Sequence, residues 1–117
     1  MEIRFTIDDK AAADTIVGAL LAERLVACGQ RIGPIISRYR WAGSIEEAEE
    51  WLVLLKTRSE LIDRVIDVIV EHHPYETPEV VALPIVAGYA AYLDWIDDVT
   101  GEVGARDGSV APSEDAR

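Results

Sequence analysis

An α+β fold, an antiparallel sheet carrying helices on one face, is what this sequence predicts, and three observations predict it. An alternating apolar hexapeptide opens the chain, two long β-rich runs flank a glycine at 43, and amphipathic helical stripes fall between and after the strands. The order is β-α-β-β-α-β with a C-terminal helix, the split βαβ arrangement of ferredoxin-like folds.

EIRFTI (2–7) alternates Ile3, Phe5 and Ile7 with Glu2, Arg4 and Thr6, the period of a half-buried strand. Asp8 and Asp9 can cap the next helix, in which Ala13, Ile16, Val17, Leu20, Leu21 and Leu25 recur at three- and four-residue spacing until Cys28-Gly29 closes it. The runs Arg31 to Trp41 and Ile45 to Thr57 read as a long hairpin with Gly43 at the bend. Ala42 is poorly suited to a positive φ, which leaves the turn type open. Thr57 and Glu60 form a capping box for a second helix, whose stripe is Leu61, Ile62, Val65, Ile66 and Ile69. Pro74 ends that helix near His72. EVVALPI is a further strand with Pro84 at an edge or at the strand's end. Tyr89 to Val99 forms the last helix, burying Tyr92, Leu93, Trp95 and Ile96. Periodicity is lost in GEVGARDGSVAPSEDAR, so the expected division is one domain over 1–100 and a disordered acidic tail over 101–117.

The length of 117 residues suits one such domain. Its apolar runs fall short of the roughly 20 residues a membrane-spanning helix needs, and MEIRFTIDDK does not read as a secretory signal, so the cytoplasm is the expected compartment. One cysteine, Cys28, builds neither an internal disulfide nor a thiolate cluster. A formal charge of -11 argues against nucleic-acid and anionic-membrane partners and draws cations instead. The hairpin offers Ile35, Trp41, Trp51 and the run Leu52 to Leu55, more apolar surface than one small sheet covers, which predicts self-association.

The segment HHPYETPE (72–79) holds both histidines. Neutral imidazole suits Cu(II), the divalent ion at the top of the affinity order. Adjacent side chains diverge on a helix and on a strand alike, so a complete site at His72 and His73 needs an irregular helix end and further ligands, from Glu71, Glu76, Glu79 or a neighbouring subunit. The competing reading is structural: a histidine at a helix C-terminus complements the dipole for about 0.3–1 kcal/mol. Cys28 reads as a small buried hydrophobe rather than a nucleophile, and no catalytic constellation is visible, so the chain is expected not to be an enzyme. EEAEE (46–50) reads as a solvated acidic edge, and Trp51 and Trp95 as core or interface residues.

AERLVAC (22–28), SRYRWAG (37–43), EEAEEWLVLLKT (46–57), HHPYETPEVVALPIVAG (72–88) and YLDWI (92–96), in that order, resemble the divalent-cation tolerance (CutA) proteins. The resemblance implies a trimer of ferredoxin-like subunits, similar to PII signalling proteins, with hairpins pairing against neighbours and a link to copper and other divalent cations. It implies His72 and His73 as the metal ligands. Arg4 stands where some members carry a cysteine proposed to bind copper. Cys28, Tyr39, Trp41, Lys56, Tyr75 and Glu79 fall in the family motifs as candidates for a cleft between subunits, with Glu79 the expected partner of Lys56, whose ammonium beside apolar surface needs a carboxylate or an anionic ligand. Three functions stay open: a trimeric copper-binding protein of metal tolerance, a PII-like sensor binding a small anion near Lys56 and Tyr39, and a scaffold for a protein partner.

Overall fold

The computed structural model describes residues 1–101; apart from Gly101, the tail expected at 101–117 lies outside them. The elements are β1 (Glu2–Ile7), α1 (Lys10–Ala22), β2 (Cys28–Trp41), β3 (Ser44–Lys56), a 3₁₀ turn (Ser59–Leu61), α2 (Ile62–His72), β4 (Val80–Leu83) and α3 (Ala90–Val99). The strands form one antiparallel sheet in the order β2-β3-β1-β4, the ferredoxin-like arrangement. Among the described residues no helix is long and apolar enough to cross a membrane.

Alternation in β1 sorts the sheet into two faces. Ile3 and Phe5 pair with Leu55 and Val53 and are fully buried, together with Ile7, against Ala13, Ile16 and Leu20 of α1 and Val65 and Ile69 of α2. Burying each large aliphatic or aromatic side chain of this set contributes about 1.5–3 kcal/mol. Trp51, the partner of Ile7, packs at the margin of the core, with Arg31 5.3 Å and Lys10 5.8 Å from its ring centroid. Gly33 sits at the irregularity between Ile32 and Ile35, and a Cβ there would lie 2.6 Å from Trp51 Cε3, so the close approach of indole and backbone requires glycine. On the opposite face lie Glu2, Arg4 and Thr6 with their partners Lys56, Leu54 and Leu52.

Three local expectations are corrected. Helix α1 ends at Ala22 rather than at Cys28-Gly29, which already belong to β2. Arg24 takes φ 57°, its N–H donates to Leu21 O and that of Leu25 to Leu20 O, a Schellman motif. Leu25 is therefore buried as the residue after a cap, a position that mimics helical spacing. Thr57 forms no capping box: its hydroxyl is buried and donates to Leu25 O at 2.6 Å, and the 3₁₀ turn leads into α2 instead. The third correction concerns α3, where only Ile96 is fully buried while Tyr92, Leu93 and Trp95 are half-buried. Cys28 Sγ lies 3.7 Å from the Tyr92 hydroxyl, which sets α3 against the Cys28 end of the sheet.

The end of α2 at His72 and the end of β4 before Pro84 are as expected. Beyond the bulge, β2 and β3 continue past β1 as a two-stranded ribbon whose Ile36, Tyr39, Trp41 and Ile45 are exposed. Its bend uses Ala42 at φ 51° and Gly43 at φ 84°, the two positive values that a type I′ turn demands. An L-residue with a Cβ is about 1–2 kcal/mol less favourable in that left-handed region, and asparagine tolerates it better. Replacing Ala42 with Asn is expected to raise stability by about 1 kcal/mol, read as a higher denaturation midpoint at unchanged slope. An unchanged midpoint would show that Ala42 is not strained.

Candidate functional site

A groove of about 680 Å³ opens on the sheet face opposite α1 and α2, where the ribbon leaves the sheet. Its floor is the Ser37 and Ala48 cross-strand pair, small residues that leave room above them. Tyr39 and Trp41 stand on one side, and the segment Tyr75 to Glu79 forms the other. Thr6 and Asp8 close it at the end of β1. Four carboxylates line it, those of Asp8, Glu50, Glu76 and Glu79, against one cation, Arg38, which is itself bonded through Nε to Glu47 Oε1 at 2.8 Å.

Glu50 is the interior member of this set. Only 5% exposed, it receives the Tyr75 hydroxyl on Oε2 at 2.7 Å. Burial, and then the Glu50 carboxylate beside it, push the Tyr75 phenol well above its ordinary value, so Tyr75 stays a donor through the neutral range. EEAEE is thus a solvated edge only in part: Glu46, Glu47 and Glu49 are exposed, whereas Glu50 is buried. Its signal in the sequence was phase, since Glu50 shares a strand face with Leu52 and Leu54.

His72 and His73 part company at the end of α2. His73 has left the helix, with φ -82° and ψ 135°, as expected before a proline. It is 8% exposed; Nδ1 accepts the Tyr75 N–H at 3.1 Å, which makes Nε2 the protonated nitrogen that donates to Thr6 O at 2.7 Å. Its ring also meets Phe5 edge-on, with centroids 6.0 Å apart, and Tyr75 at 4.5 Å. His72 stays on the helix, exposed, with Nδ1 2.9 Å from Val68 O; a carbonyl only accepts, so Nδ1 carries a proton, and in the neutral ring the lone pair is on Nε2. The two rings therefore do not converge on one point. Among the described residues no three His, Cys, Asp or Glu side chains come together as a metal site.

The structure brings Tyr39, Trp41, Tyr75 and Glu79 to one groove and leaves Cys28 and Lys56 outside it. Lys56 lies opposite Cys28 at the far end of the hairpin, and its ammonium pairs with Glu2 Oε1 at 3.0 Å, not with Glu79. Glu2 also takes Arg4 Nε at 2.6 Å on its other oxygen. These hydrogen bonds and positive charges outweigh partial burial and hold the Glu2 carboxyl below its usual range. A partner one strand away across the register competed with a partner remote in sequence, and spacing alone could not rank them. Thr6 and Glu50 are groove residues for which the sequence suggested no site role, whereas Asp8, expected only as a helix cap, and Glu76, expected as a further metal ligand, also line it.

The family model described as CutA1 divalent ion tolerance protein matches residues 1–99. The chain is 39% identical over 99 residues to the divalent-cation tolerance protein CutA of Thermus thermophilus, covering 85% of this chain and 96% of that protein. It is 41% identical over 98 residues to the human protein CutA, covering 84% of this chain and 55% of the human protein's length. A solved structure of the Thermus thermophilus protein superposes with a TM-score of 0.83 at 40% identity, covering 86% of this chain and all (100%) of the other. CutA1 from Oryza sativa gives 0.83 at 35% identity, covering 86% and 93%.

The Tyr75 to Glu50 contact predicts a pH dependence. Above about pH 10, the ordinary phenol value, Tyr75 ionises in the unfolded chain before it does in the folded one. The unfolded state then binds fewer protons, so stability falls as pH rises. Denaturation between pH 8 and 11 is expected to show a steeper loss for wild type than for Tyr75→Phe (these pH limits bracket the reference value only roughly). Equal slopes would mean that the phenol is not held protonated by the fold.

Proposed function

We propose a function that starts from one fact: the chain belongs to the CutA1 divalent ion tolerance family. It is a cytoplasmic, non-enzymatic protein that binds divalent cations, copper above others, as a homotrimer. The observation that carries the metal reading is the state of His72. Its Nδ1–H donates to its own helix, the outer hydrogen bond that commonly fixes the tautomer of a ligating histidine, and the residue is exposed. Imidazole nitrogen favours Cu(II) in the divalent order. Glu71 and Glu76, both exposed close to His72 in sequence, are the carboxylates that would complete the coordination from the same or a neighbouring subunit.

His73 is offered as a supporting residue. To ligate a metal it would have to release Thr6 O or the Tyr75 N–H, and an unmet buried polar group costs about 1–3 kcal/mol. Support for the trimer comes from the ribbon, which exposes Ile36, Trp41 and Ile45 on a two-stranded element that is at best marginally stable alone. The anion-sensor alternative places Lys56 and Tyr39 on one ligand. Their cross-strand partners, Cys28 and Glu46, put them at opposite ends of the hairpin, and Cys28 to Tyr39 along β2 is roughly 35 Å at about 3.3 Å per residue. One small anion does not reach both within a chain.

Calorimetric titration with Cu(II) tests this. His72→Ala is expected to weaken binding by about tenfold or more, the order of loss a ligand or its support commonly gives. His73→Ala is expected to keep the affinity within a few-fold and to lose about 1–3 kcal/mol of stability. Wild-type affinity in His72→Ala would overturn the ligand assignment. Light scattering on the same samples should return three times the 12.9 kDa chain mass, and a monomer would overturn the assembly.

A further inference from the structure

We draw no further inference here: the strongest candidate, the cavity of about 410 Å³ at the start of α2 lined by Met1, Arg58, Ser59, Glu60 and Asp97, carries nothing because the Glu60 and Asp97 carboxylates oppose the Arg58 charge and the unpartnered Arg58 Nε is buried rather than open to the cavity, so nothing in the structure shows what would occupy it.

Discussion

The antiparallel register of β1 on β3 is the constraint from which the rest of the molecule follows. With Phe5 opposite Val53 and Ile3 opposite Leu55, every second residue of both strands faces α1 and α2, and every residue between faces away. Sliding β1 by a single position would place Arg4 under the helices and turn Phe5 to the open face, so the apolar core fixes the register strongly. The open face then inherits whatever the intervening positions hold. At one end that is Glu2 and Lys56, which neutralise each other; at the other it is Thr6 and Glu50, for which the sheet provides no cation. The groove is a consequence of the same alternation that builds the core.

Period and punctuation made the architecture legible. EIRFTI appears as β1 over the range its alternation gives, Gly43 takes the bend, and Pro74 ends α2 at His72. Termini set by hydrogen bonds between remote residues were not legible. Leu25 fits the helical stripe of α1, yet it is the residue after a Schellman cap whose left-handed position is filled by Arg24 where glycine is usual. Thr57 has the sequence of a capping box, and its hydroxyl goes instead to a carbonyl far along the chain, Leu25 O. Side-chain oxygens satisfy the nearest unmet partner in space, and spacing reports only the nearest in sequence.

The candidate site divides in the same way. Tyr39, Trp41, Tyr75 and Glu79 lie in recognisable motifs, and the groove collects them. Glu50 was hidden inside a run of acids, because a run suggests solvent whereas its burial depends on strand phase and on Tyr75 arriving from another element. Lys56 was misplaced for the converse reason. An ammonium next to an apolar run does call for a carboxylate, but the sheet order brings β1, and with it Glu2, between Lys56 and β4.

The segment after α2 explains why two adjacent histidines do different things. His72 is the last helical residue and bonds back to its own helix; His73, made extended by Pro74, swings onto the end of β1. A pair that looks like a chelate in one dimension is a change of direction in three. His73 thereby fixes Tyr75 in place through the Tyr75 N–H, and Tyr75 in turn presents its hydroxyl to Glu50. The fold thus holds a buried carboxylate in position with one neutral donor, where an apolar side chain in phase with Leu52 and Leu54 would serve stability better.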